Sequence, residues 1–150
     1  MMTKLLMAAT AVAGCGVFVL TGQPAAPPAV YTAAQAAAGR AAYQSSCVNC
    51  HTETLIPLPG AKHGAQEIPP LAGANFMTRW GARTTSDLSS RVKTAIGGFP
   101  PKDLNDKTYL ILTAYILQVN GARPGTQELT AATAVVIQTT TAPEANPDRH

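Results

Sequence analysis

The sequence predicts a single small all-α domain, with an N-terminal signal or anchor segment before it and an irregular tail after it. The chain has 150 residues, which suits one domain of ordinary size. Hydrophobic residues make up 46% of it, too many for a wholly disordered chain, and aromatic residues only 5%, too few for an all-β sandwich. In the second half of the chain, apolar residues recur at helical spacing. These observations favour packed helices.

Charge and cysteine content exclude several classes of protein. The formal net charge is +3, and the basic residues are spread singly along the chain, so no nucleic-acid-binding patch is predicted. A multi-pass membrane protein is excluded because the sequence has only one long apolar run. With three cysteines, a framework of several disulfides cannot form.

The long apolar run spans Leu5 to Leu20 and follows Lys4, a pattern typical of a secretory signal. It is at the short end for a bilayer span of about 20 residues, so an uncleaved anchor is the less favoured alternative. The residues ending at Cys15 resemble a bacterial lipobox, which makes acylation of Cys15 a third alternative. The sequence therefore predicts residues 1–30 as signal or anchor plus linker, and places the mature protein in the oxidising periplasm.

The first helix is predicted from Tyr31 to Gln44, where the chain is rich in alanine and Thr32 can serve as N-cap. Gly39 and Tyr43 lie four residues apart on one face, which places a notch beside an aromatic ring. Four prolines prevent a long helix in residues 52–75, so this stretch is predicted to be a loop.

Two shorter helices are predicted after this loop. One carries Phe76 and Trp80, four residues apart. The other begins near Ser86, has apolar residues at helical spacing, and ends at the Gly97-Gly98 pair that precedes two prolines.

The clearest helical pattern runs from Asp106 to about Asn120. Asn105 is the expected N-cap and Gly121 the expected end. The side chains expected to face the core are Leu112, Tyr115, Ile116 and Val119.

Beyond Arg123 the chain is rich in Ala, Thr and Pro, which predicts an irregular wrap followed by disorder. Residues 129–150 are accordingly expected to be a low-complexity, disordered tail. The helical core that remains is small, and on its own it would be only marginally stable.

The five residues Cys47-Val48-Asn49-Cys50-His51 form a C-x-x-C-H motif at the end of the first predicted helix. Two thiols at this spacing can each add to one vinyl group of haem, and the adjacent histidine can then ligate the iron. A thioredoxin-like redox pair would need a βαβ setting, and a structural zinc would need a second pair of ligands. The motif therefore predicts one covalently attached haem c, with His51 as the metal ligand, and the haem enlarges the apolar core.

Together with other segments, this motif resembles the class I c-type cytochrome domain. The matching segments are the helix with Gly39 and Tyr43, the stretch from Pro69 to Gly73, the pair Phe76 and Trp80, and the helix containing Ala114-Tyr115-Ile116-Leu117. The resemblance covers residues 31–128, which are the expected cytochrome domain. It is closest to the small cytochrome domains that accompany periplasmic quinoprotein or flavin dehydrogenases.

The resemblance implies roles for two further residues. The carbonyl of Pro69 is expected to accept the Nδ1 proton of His51, which fixes the ring and raises its basicity. The indole N–H of Trp80 is expected to reach a haem propionate; the alternative is that Trp80 is simply an apolar wall residue.

The sequence departs from the family at the sixth iron ligand. The family usually has a methionine before its last helix, and Phe99 stands at that position here. The alternatives are Met77, which is more simply explained as packing, His63 in an inserted loop, or an open site. Loss of the methionine ligand predicts a lower redox potential than is usual for the family.

The resemblance implies an electron carrier rather than an enzyme, with a periplasmic dehydrogenase as donor and a cytochrome or terminal oxidase as acceptor. Residues 31–125 carry nine basic and five acidic side chains, which favours docking with an acidic partner. The alternative function is a haem-based sensor of small ligands, or a weak peroxidase, with an open sixth coordination site.

Overall fold

The computed structural model describes residues 25–96 and 104–141. Its elements are α1 (Ala33–Ser46), α2 (Val48–His51), β1 (Lys62–His63), β2 (Gln66–Glu67), α3 (Ala74–Trp80), α4 (Thr85–Ile96), α5 (Asp106–Val119) and a 3₁₀ helix (Ile137–Thr140). The predicted all-α class is confirmed. No helix within these two ranges is long and apolar enough to cross a membrane. The segment Leu5–Leu20 with Cys15, the pair Gly97-Gly98, Phe99 and residues 142–150 lie outside the described residues.

The centre of the fold is the contact between α1 and α5, and it depends on Gly39. A Cβ atom at Gly39 would lie 1.9 Å from the carbonyl oxygen of Ile111, so only glycine lets the two backbones come this close. One turn further along α1, the rings of Tyr43 and Tyr115 meet with centroids 5.4 Å apart. This contact confirms the predicted notch beside an aromatic ring.

The caps of α1 and α5 are those predicted from the sequence. The Thr32 hydroxyl accepts a hydrogen bond from the Gln35 N–H, and the Gln35 side chain accepts one from the Thr32 N–H, each at 3.2 Å. At the start of α5, Asn105 Oδ1 accepts a hydrogen bond from the Thr108 N–H at 2.9 Å. Both helices therefore begin where these side chains satisfy backbone N–H groups that have no partner within the helix.

The buried face of α5 is wider than predicted. Leu112 and Ile116 are buried as expected, but Tyr115 is only half-buried and Val119 is 41% exposed. The helix packs against both α1 and α4, so two adjacent faces are covered. The additional buried side chains are Tyr109, Thr113, Ala114 and Leu117.

The loop between α2 and α3 contains a hairpin that the sequence analysis did not predict. Strands β1 and β2 are antiparallel, with Lys62 opposite Glu67 and His63 opposite Gln66. The Ile68 N–H donates to the Ala61 carbonyl at 3.0 Å and closes the hairpin. All four strand residues are exposed, so no alternation of apolar and polar side chains marked them. The absence of a long helix in this stretch is confirmed for residues 52–73.

Residues 125–141, called the C-terminal strap below, include residues 129–141 of the predicted disordered tail, yet they pack against the domain. Leu129 and Ile137 are buried, and Ile137 ends inside the core. The strap also pairs with the turn between α3 and α4, since the Ile137 N–H donates to the Arg83 carbonyl and the Gln138 N–H to the Gly81 carbonyl, both at 2.9 Å. These buried apolar side chains and backbone bonds hold a segment whose composition alone suggested disorder.

Candidate haem site

The C-x-x-C-H motif folds into a single turn directly after α1. The Cys47 N–H still donates to the Tyr43 carbonyl at 2.8 Å, so Cys47 ends α1 and begins α2. The N–H groups of Cys50 and His51 then donate to the Cys47 carbonyl at 3.2 and 3.0 Å. One turn of backbone therefore carries both thiols and the imidazole. The segment Cys47–His51 is called the attachment turn below.

The two thiols have different surroundings. Cys47 is half-buried and packs against the hydrophobic core, whereas Cys50 is exposed, and neither forms a disulfide. Burial, with a smaller contribution from Cys50, raises the pKa of Cys47 to about 11. A thioredoxin-like redox pair needs a thiol with a lowered pKa, so this environment does not suit that alternative.

His51 is half-buried and carries an atom without a partner. Its Nδ1 is the one buried side-chain nitrogen or oxygen in the described residues that makes no hydrogen bond. Burial lowers the pKa of His51, and the backbone of Pro69 opposes this shift. Because proline has no N–H, that influence comes from its carbonyl, although the contact lacks the geometry of a hydrogen bond. The imidazole is therefore neutral near pH 7, as a metal ligand must be.

The backbone that follows His51 is folded back onto α1. Thr52 and Leu55 both have φ of 62°, a left-handed conformation that is unusual for β-branched threonine. The Tyr43 hydroxyl donates to the Thr52 carbonyl at 2.6 Å, and the Thr52 N–H donates to the Val48 carbonyl at 2.8 Å. These bonds hold Thr52 in this conformation and fix the end of the attachment turn.

Trp80 is the last residue of α3 and is only 8% exposed. It belongs to the hydrophobic cluster against which Cys47 packs. The guanidinium of Arg83 lies 5.3 Å from the centroid of its ring, a cation–π contact. Trp80 is therefore a wall of the core next to a positive charge, and its bond to a propionate stays a prediction.

The candidate sixth ligands within the described residues, Met77 and His63, lie on different elements. Met77 is half-buried on α3 and packs against the core, which agrees with a packing role. His63 lies on the exposed strand β1, and Phe99 is outside the described residues. Within residues 25–96 and 104–141, no three His, Cys, Asp or Glu side chains come together to hold a metal ion.

A comparison with protein families decides the kind of domain. Residues 34–116, more than half of the chain, match the family described as cytochrome c oxidase, cbb3-type, subunit III. The chain belongs to this family. Its domain is a c-type cytochrome domain, so the predicted cofactor, covalently attached haem c with its iron, is confirmed. Searches of curated proteins and of solved structures found no significant match.

The residues of this cytochrome domain suit a covalently attached haem. The matched segment begins in α1 and ends in α5, and it includes the attachment turn, Pro69 and Trp80. The turn offers two thiols, a neutral imidazole and one buried nitrogen that still lacks an acceptor. These residues were predicted from the sequence, whereas Asn120 was predicted only as the end of the last helix.

Proposed function

We propose that the chain carries single electrons in the periplasm, from a dehydrogenase to a cytochrome or terminal oxidase. Membership of a c-type cytochrome family supports an electron carrier. The family description names an oxidase subunit, which supports an oxidase, or a cytochrome that feeds one, as the acceptor. The observation that carries the proposal is the attachment turn, where Cys47, Cys50 and a neutral His51 share one turn of backbone.

In this proposal Cys47 and Cys50 hold the haem through thioethers, and His51 binds its iron. When bound, the haem supplies reversible one-electron chemistry. The Pro69 carbonyl orients His51 by accepting a hydrogen bond from its Nδ1–H. This bond gives the otherwise unpartnered Nδ1 an acceptor. Cys50 is exposed, so one attachment point lies at the protein surface, where a partner protein can approach.

The surface charge supports brief encounters with an acidic partner. The basic side chains of the described residues are exposed, among them Arg40, Lys62 and Arg79. Two of them already have partners: Arg83 lies over the Trp80 ring, and Lys93 Nζ lies 2.6 Å from Asp106 Oδ1. Both partners of this pair are more than half exposed, so it adds little stability. Docking through such charges is fast and weakens as the salt concentration rises.

The experiment is spectroscopy on the holoprotein from a host that attaches haem. We expect colour that survives denaturation and a reversible one-electron potentiometric titration. The double variant Cys47→Ala/Cys50→Ala should carry no covalent haem. Colourless denatured wild-type protein at the mass of the bare polypeptide would overturn the proposal, and rapid binding of carbon monoxide would favour the ligand-sensor alternative.

The same spectra identify the sixth ligand. We expect the oxidised protein to lack the weak red band of a methionine–iron bond, because Phe99 stands at the usual methionine position. If the band is present, the Met77→Leu variant separates the two explanations. Its loss in that variant would assign Met77 as the ligand, in place of the packing role that the structure supports.

A further inference from the structure

We propose that Asn120 is a positioning residue for this site. Its side-chain amide holds the loop from Pro69 to Gly73, and through that loop it sets the distance between the Pro69 carbonyl and His51. The inference rests on the proposed function, because it assumes that His51 binds haem iron and that its Nδ1–H donates a hydrogen bond to the Pro69 carbonyl.

Asn120 uses both ends of its amide. Nδ2 donates to the Leu71 carbonyl at 2.9 Å and to the Ile116 carbonyl at 2.8 Å, while Oδ1 accepts from the Gly73 N–H at 3.0 Å. The bond to Ile116 is local and caps the end of α5. The other two cross to a loop almost fifty residues earlier in the chain, which a helix cap does not require.

Only an amide satisfies these three backbone groups together. Two carbonyls face the nitrogen end and one N–H faces the oxygen end, so the orientation of the amide is fixed. Aspartate has the same shape, but it would place an acceptor against two carbonyl oxygens. Alanine would leave the carbonyl of Leu71 and the N–H of Gly73 without their present partner.

The loop depends on such bonds because of its composition. Pro69 and Pro70 have no N–H, so neither can donate a backbone hydrogen bond to hold the loop in place. Its anchor on the other side is the Leu71 N–H, which donates to the Leu55 carbonyl at 2.8 Å. Leu71 is thus held between Leu55 and Asn120, two residues from the carbonyl that His51 needs.

The same amide also fixes the start of α3. Gly73 is the N-cap of that helix, with φ of 82°, and its N–H has Asn120 Oδ1 as its partner. Since α3 ends at Trp80, one side chain links the end of α5 to Pro69, the predicted partner of His51, and to Trp80, the predicted partner of a propionate.

The test compares Asn120 with a matched amide elsewhere in the holoprotein. Gln35 makes the same pair of bonds to the strap: its Nε2 donates to the Leu129 carbonyl at 2.9 Å, and its Oε1 accepts from the Leu129 N–H at 2.8 Å. The variants are Asn120→Asp and Asn120→Ala, with Gln35→Glu and Gln35→Ala as controls. The readouts are hydrogen exchange of the His51 Nδ1–H by NMR, the midpoint potential, and urea unfolding.

We expect both Asn120 variants to speed exchange of the His51 Nδ1–H by roughly tenfold and to shift the midpoint potential. A tenfold increase in the exchange rate corresponds to the free energy of about one lost hydrogen bond. The Gln35 variants should lower stability without changing either haem readout. Equal effects of the two pairs, or wild-type exchange in a folded Asn120 variant, would overturn the inference and leave the proposed function standing.

A measurement on the wild-type holoprotein covers the case in which the variants do not fold. If Asn120 holds the loop, the amides of Leu71 and Gly73 and the His51 Nδ1–H should exchange through one shared opening. They should then show the same dependence on urea. A different dependence for His51 would contradict the inference. Absence of covalent haem in the wild type would instead contradict the proposed function.

Discussion

The attachment turn and the C-terminal strap are held in place in opposite ways. The bonds within the turn join residues three or four apart, no residue of α2 is fully buried, and His51 Nδ1 lacks a partner. Besides its local turns, the strap bonds to residues about fifty or more positions away, and it buries Ile137 completely. The turn is therefore held by local bonds and keeps one buried nitrogen without a protein partner, whereas the strap is held by bonds to distant parts of the chain.

Both regions depend on the contact between α1 and α5, so the largest expected effect comes from Gly39→Ala. The added Cβ would lie 1.9 Å from the Ile111 carbonyl oxygen and 2.9 Å from the Cβ of Tyr115. The nearer atom belongs to the backbone, so the helices must separate. We expect a loss of more than about 4 kcal/mol, and little folded holoprotein.

The measurement is the yield of soluble haem protein and its unfolding in urea. Ala38→Leu is the control, because Ala38 is the exposed neighbour on the same helix. It should leave both quantities close to wild type. If Gly39→Ala folded with wild-type stability, the close approach of the two helices would not be required for the fold.

The Ile137→Ala variant tests whether the strap contributes to stability without affecting haem attachment at the turn. Truncating this fully buried side chain should cost about 2–5 kcal/mol through lost burial and the cavity that remains. Haem content per folded chain should not change, because the attachment turn makes its own bonds.

Urea unfolding of the holoprotein measures the first effect, and absorbance per protein measures the second. Gln138→Ala is the control, because it alters an exposed side chain of the strap and keeps the backbone bond to Gly81. Loss of haem from Ile137→Ala at unchanged stability would mean that the strap belongs to the site.

The same contrast explains what the sequence could predict. The attachment turn was predicted because its chemistry is contained in five consecutive residues. The caps at Thr32 and Asn105 were predicted for the same reason, since each bonds an N–H three residues later. Family resemblance added Pro69, whose carbonyl influences His51 across a loop that no local pattern describes.

What the sequence analysis missed depends on distant partners. Leu129 and Ile137 lie in a stretch rich in threonine and alanine, and only the folded core supplies the neighbours that bury them. Val119 fits the helical spacing of α5, yet it is exposed because α1 and α4 cover other faces of the helix. Asn120 looked like an ordinary helix end, since its bonds to Leu71 and Gly73 have no signature in nearby residues.

The smallest expected effect compares two buried tyrosines that each donate to a backbone carbonyl. Tyr43 bonds Thr52 at 2.6 Å, beside the attachment turn, and Tyr31 bonds Ala122 at 2.5 Å, near the start of the strap. Tyr43→Phe and Tyr31→Phe keep the rings and remove only the hydroxyls. Each should cost about 1 kcal/mol, because one hydrogen bond is lost.

The pH at which the tyrosine variants are compared follows from the titration of the phenols. Burial raises the pKa of Tyr31 to about 12 and also raises that of Tyr43. The stability that each phenol contributes is therefore present below pH 10 and, for Tyr31, is lost as the pH rises toward 12. A comparison at pH 7 measures the hydrogen bonds in full.

Amide hydrogen exchange then distinguishes the two sites. In Tyr43→Phe the N–H groups of His51 and Thr52 should exchange faster, because the carbonyl that follows the turn is no longer held against α1. Tyr31→Phe should leave them at the wild-type rate while losing similar stability. Equal acceleration in both variants would show that the turn opens only with the whole domain. The turn and the strap would then be one cooperative unit, and the contrast between a locally held site and a distantly held scaffold would fail.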